Sequence, residues 1–197
     1  MKSFKSFFLL PVLLVGLAAP AMAQQNIAVI NEQRVLRESV VGQHIQTRLA
    51  AIGQEVRAEL TAIGQPIQQE TQQLNAETAS MTPQAIQQRP DLMQRIEALN
   101  QQAQQFELQR RRREEELQQT ERQAMQPVYE ALNPILEEIV AARNIDILVD
   151  RANLVFSSPA VDISDPVITM LNERLPTVPV NRVRLPQQDS AAAAPQQ

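Results

Sequence analysis

The chain has 197 residues, with 18 basic and 22 acidic side chains, one histidine and no cysteine or tryptophan. Without cysteine there are no disulfides or thiolate metal sites, and a lone histidine cannot build a Cys/His or Ser/His/Asp nucleophile arrangement. The acidic balance speaks against nonspecific nucleic-acid binding, and the scarcity of aromatics leaves burial mainly to aliphatic side chains.

Residues 1–23 open with Lys2 and Lys5, continue with an apolar run from Phe7 to Ala19, and close on Ala21-Met22-Ala23. This is the pattern of a secretory signal peptide cleaved after Ala23. The run is short for a membrane span and contains Pro11 and Gly16. The expected product is therefore exported, with no transmembrane segment. Lys2 and Lys5 are the only lysines, so the chain beyond residue 23 has sixteen arginines against 22 acidic residues, a formal charge of −6. A phosphate-binding loop of the G-x-x-x-x-G-K-[ST] kind has no lysine to use there, and no cofactor is expected.

Residues 24–42 read as a strand at Ile27 to Ile30 and a short helix from Glu32 to Arg37, with Ser39 as the N-cap of the next helix. From about Val40 to Thr78 an apolar stripe runs through Ile45, Leu49, Ile52, Val56, Leu60, Ile63, Ile67 and Leu74. Several of its members recur at eleven residues, or 3.67 per turn, which predicts a nearly straight helix of roughly 60 Å. Gly42, Gly53 and Gly64 share this spacing and suggest a close approach of another backbone, or repeated loosening of the helix. Pro66 predicts a kink or a break.

Residues 79–91 form a turn, with Thr82 capping a short piece that begins at Pro83 and stops at Pro90. A second stripe follows from Asp91 to Gln126 through Leu92, Ile96, Leu99, Ala103 and Phe106, is interrupted by Arg110 and Arg113, and resumes at Leu117 and Ala124. Two amphipathic helices of equal length across a short turn predict an antiparallel hairpin arm over residues 43–126. Its seam would hold Ile45, Leu49, Ile52, Val56, Leu60 and Ile63 against Leu92, Ile96, Leu99 and Phe106. In RRRREEE, residues 110–116, the i,i+4 pairs predict a neutralised, solvated face; a site for anionic lipid or an acidic client is the sharper alternative. Glu114 to Glu116 and Glu137-Glu138 read as solvated, and His44 as an ordinary first-turn residue.

Over residues 127–175 the helix should bend at Pro127 and Pro134. Strands are predicted at 144–150 and 154–158 across Arg151-Ala152-Asn153, then a helix after Asp165-Pro166. Residues 176–197, rich in Pro, Ala and Gln, read as a disordered tail. The fold class is α+β, mostly α: a small body made from both ends of the chain, with one long hairpin projecting from it. Three short strands make too small a core to stand alone, so several copies should complete one sheet or barrel.

The order of elements, with V-L-x-E-S-x-x-G at Val35 to Gly42, I-D-I-L-V-D at 145–150 and D-I-S-D-P-V-I at 162–168, resembles the Skp/OmpH family of periplasmic chaperones over roughly residues 26–175. The resemblance implies a homotrimer whose strands close a small β-barrel body, with three helical arms around a cavity. Unfolded outer-membrane β-barrel proteins would be held there without ATP. On this view Ile27, Val29, Ile147, Val149, Val155 and Phe156 make the assembly contacts, client contacts are diffuse along the arms, and there is no catalytic residue. Well-known members are basic and lysine-rich, unlike this chain, so no lipopolysaccharide site is carried over. An exported coiled-coil adaptor binding a folded envelope partner is the alternative.

Overall fold

The computed structural model describes residues 25–186; the expected signal segment and the end of the tail lie outside the described residues. Strand β1 (Ile27–Ile30) leads through Asn31 into helix α1 (Glu32–Glu38), where the Asn31 side chain accepts the Arg34 N–H at 2.9 Å. Ser39 ends α1 and caps α2 (Val40–Thr78), its Oγ accepting the Gly42 N–H at 3.2 Å. The corner between these helices is so tight that a Cβ on Gly42 would lie 1.6 Å from the Leu36 carbonyl oxygen. Of the three eleven-spaced glycines, only this one is demanded by backbone approach. A Cβ on Gly64 would meet the Phe106 ring at 3.2 Å, and one on Gly53 only the Arg57 guanidinium at 3.6 Å.

Helix α2 runs unbroken through Pro66. Pro66 and Ala62 are both exposed, so water can satisfy the carbonyl that proline cannot reach. At the tip, Thr82 accepts the Ala85 N–H at 3.3 Å and Pro83 opens the short α3 (Pro83–Gln87). Helix α4 (Pro90–Ala142) then continues for 53 residues across Pro127 and Pro134, so the returning arm and the helix of the body are one element. It ends where Asn144 adopts φ 49°, with the Ile145 N–H on the Val140 carbonyl at 3.0 Å and the Asn144 N–H on the Ala141 carbonyl at 3.3 Å. This left-handed C-terminal cap suits asparagine, whose short polar side chain tolerates that region.

Strand β2 (Ile147–Asp150) pairs parallel with β1 in the register Ile27 to Ile147 and Ile30 to Asp150. Asn26 aligns the pair: its N–H donates to Asp146 at 2.8 Å, and its side-chain amide donates to the Arg143 and Asn144 carbonyls at 2.7 and 3.1 Å. The strand expected at 154–158 is absent. Asp150 instead caps a single turn at Arg151–Asn153, accepting the Ala152 N–H at 2.8 Å, and Arg151 reaches the Ser157 hydroxyl at 2.5 Å. The chain therefore bends away from the sheet, and a β-prone run with no partner strand in its own chain is left as a loop. It returns at Ile163, whose N–H donates to the Val29 carbonyl at 2.9 Å, and enters α5 (Ser164–Arg174).

A single apolar cluster fills the body and the lower arm. Val35 of α1, Val41, Ile45, Ile52 and Val56 of α2, Ala124, Val128, Leu132, Ile135 and Ile139 of α4, and Val167 and Leu171 of α5 all belong to it. Farther out the arm has little core: Leu74 and Leu92 are buried, while Ile63 is 36% exposed. The tail differs from expectation over the residues described. Residues 176–186 lie against the lower arm, with Val178 and Val180 inside the same cluster.

Candidate functional site

The predicted seam is unevenly buried. Ile45, Ile52, Val56 and Leu92 are buried; Leu49, Leu60, Ile96, Leu99 and Phe106 are half-buried; Ile63 is the most open. The eleven-residue stripe thus packs closely near the body, loosely from Leu60 to Ile67, and closely again at Leu74 near the tip. Near the tip, the two basic side chains of residues 58–109 are both paired. Arg95 bonds Glu70 at 2.8 Å and Glu77 at 2.7 Å, and Arg89 bonds Asp91 at 2.5 Å. The Arg89 hydrogen bond is the main reason the Asp91 carboxyl is pulled down to about 2. These pairs are exposed, so they neutralise the arm more than they stabilise it.

The body has one bonded and one open sheet edge. Beyond β1, residues 162 and 163 bridge to Val29, whereas β2 carries no further strand among the described residues. Ile27 and Ile147, opposite each other in the register, are 44% and 41% exposed. After β2, Leu154, Val155 and Phe156 project into solvent, Phe156 at 82% exposure. Val149 is half-buried. Val29 is 2% exposed in the single chain, buried within its own body. Val155 and Phe156 are exposed, but from a loop.

A second constellation lies on the lower arm. Glu116, read from the sequence as solvated, is fully buried. Arg113 bonds it at 2.9 Å and also approaches Glu59 of α2 at 3.2 Å. Arg182 of the tail makes a two-pronged bond to Glu59 at 2.6 and 2.9 Å and lies 3.4 Å from Glu116. Arg112 completes the group at 3.6 Å from Glu116. The Arg182 hydrogen bond is the largest influence holding the Glu59 carboxyl below its ordinary value. Of the i,i+4 pairs expected in residues 110–116, Arg112 with Glu116 forms, but on a buried acid and not on a solvated face. Arg110 turns instead to Glu107 at 2.8 Å, and the buried acid is shared by three arginines. His44, in the first turn of α2 as expected, also touches the tail: its Nε2 lies 3.1 Å from the Val178 carbonyl and donates to it. One sequence signal pointed to this cluster: Arg110 and Arg113 interrupt an otherwise apolar stripe where the helix needs a partner.

Among the described residues there is no group of three or more His, Asp or Glu side chains able to hold a metal ion, and no helix long and apolar enough to cross a membrane.

A comparison with curated proteins found no match. A solved structure from Caulobacter crescentus CB15, assigned as an OmpH-like outer membrane chaperone, is similar at 30% identity and a TM-score of 0.65, covering 84% of this chain and 95% of that one. The family model described as "Outer membrane protein (OmpH-like)" matches residues 26–171, from β1 through most of α5. With the opening strand, the long hairpin and the returning strand all inside that span, the chain belongs to the OmpH-like family.

Proposed function

We propose that the chain is an ATP-independent periplasmic holdase that keeps unfolded outer-membrane β-barrel proteins from aggregating on their way to the outer membrane. The observation that carries this reading is the pairing of a long, thinly cored arm with a body whose sheet is unfinished. A two-stranded sheet is marginal by itself, and an open β2 edge beside Ile27, Ile147, Leu154, Val155 and Phe156 is a surface that another copy would cover. Three copies closing a small barrel would set three arms around a shared cavity. The likeness to the Caulobacter structure, described as an OmpH-like outer membrane chaperone, supports a chaperone role.

The arms suit weak, distributed holding. Ile63, Met93 and Leu108 expose apolar surface singly along them, and many such contacts give avidity without a specific pocket. The export signal expected at residues 1–23 fits a periplasmic location.

The test is light scattering as a urea-unfolded outer-membrane β-barrel is diluted into increasing amounts of residues 24–197 without nucleotide. Suppression saturating near three chains per client is the expected result. No suppression at any ratio would leave the envelope adaptor as the better account.

A further inference from the structure

The tail from Thr177 to Leu185 is bound to the lower arm as a peptide is bound in a recognition groove. Its side chains alternate: Val178 and Val180 are buried and the Arg182 side chain is 8% exposed, while Thr177, Pro179 and Asn181 face solvent. Pro176, Pro179 and Pro186 hold the adjoining backbone toward extended conformations. Side chains of α2 and α4 read the tail's main chain. His44 donates to the Val178 carbonyl, Thr120 accepts the Val183 N–H at 2.9 Å, Glu116 accepts the Leu185 N–H at 3.1 Å, and Arg112 donates to the Leu185 carbonyl.

Main-chain bonds of this sort hold any extended segment, whereas pockets for alternate side chains choose among segments. Here the pockets are apolar at two successive inward positions and acidic at the third, where Glu59 and Glu116 flank Arg182.

We propose that the groove between α2 and α4 on the lower arm is a binding site for extended segments of the pattern apolar-x-apolar-x-basic, and that residues 177–185 are its resident ligand. Strands of outer-membrane barrels carry apolar side chains at alternate positions, so an unfolded barrel strand whose lipid-facing run ends at a basic residue presents this pattern and is the external ligand the groove fits. That identification of the external ligand rests on the holdase reading; the self-occupied groove does not.

The test uses the full chain with Arg182→Glu, which places like charge against Glu59 and Glu116 and frees the groove. A fluorescent peptide of residues 177–186 is titrated and its anisotropy read. Binding at least tenfold tighter to the variant than to the parent chain, whose groove is filled, is expected. Equal binding to both chains, or none to the variant, overturns the proposal. Val180→Asp, which detaches the tail through its apolar contact, should behave likewise, and circular dichroism checks that both variants keep their helices. An unlabelled barrel-strand peptide with two alternating apolar residues followed at the same spacing by arginine should then compete, while one of the same composition with its apolar residues bunched should not. Failure of the alternating peptide to compete overturns the ligand class. Peptide binding to the variant without any suppression of client aggregation by either chain would sink the holdase reading and leave the groove standing.

Discussion

Gly42 and Gly53 share a spacing in sequence but have opposite roles in the fold. A methyl group at position 42 would collide with the backbone of α1, and relieving it requires shifting one helix against the other. Gly42→Ala should therefore cost about 1–3 kcal/mol in urea unfolding, the usual penalty of overpacking. Gly53 has room, so Gly53→Ala should raise stability by up to about 1 kcal/mol through helix propensity. Glu59 links a single residue to pH. Its carboxyl is held below its ordinary value of 4.5 by Arg182, so the pair stabilises the fold at neutral pH and that contribution fades as pH falls below this value. Thermal unfolding followed from pH 7 to pH 3 should show this acid limb in the parent chain, and Glu59→Gln should begin less stable and fall less steeply.

At the scale of elements, local signals were legible wherever the chain obeys local rules. The bounds of α2 follow from the Ser39 cap and the end of its stripe, and the tip follows from Thr82-Pro83 and Pro90. Three features were not legible because their causes are distant in sequence. Residues 154–158 have strand composition, yet no partner strand lies beside them in this chain. The tail reads as disordered from its composition, yet Val178, Val180 and Arg182 find their partners more than 60 residues away. Glu116 looks like any acid in a charged run until Arg182 arrives from the tail. Pro66 remains within an unbroken α2, where it removes one backbone donor on an exposed face. Pro66→Ala should restore that bond and stabilise the arm by up to about 3 kcal/mol, read as slower hydrogen exchange over residues 60–75.

For the whole molecule, the acidic composition, with no lysine beyond residue 23, sets the expected behaviour toward salt. With Arg89 and Arg95 already paired near the tip, client holding should change little between 50 and 300 mM salt. A steep loss over that range would mean that charge, rather than diffuse apolar contact, captures the client. Ile147 is exposed in the single chain and sits at the open edge of the sheet, so if the proposed assembly forms through it, Ile147→Asp should leave the arm's helicity intact while lowering the mass measured by sedimentation to that of one chain. Retention of the parent mass would place the assembly contacts elsewhere. The parallel pairing of β1 with β2 carries one more consequence, for the order in which the molecule is made. Ile27 must wait for Ile147, with the whole hairpin lying between them, whereas α2 and α4 need only close the short turn at the tip. Loop-closure entropy favours the nearby contacts, so the arms zip from the tip early and the body closes afterwards. The first strand to leave the ribosome is among the last to be paired, and until then its free edge needs the same protection from aggregation that the finished protein would give to others.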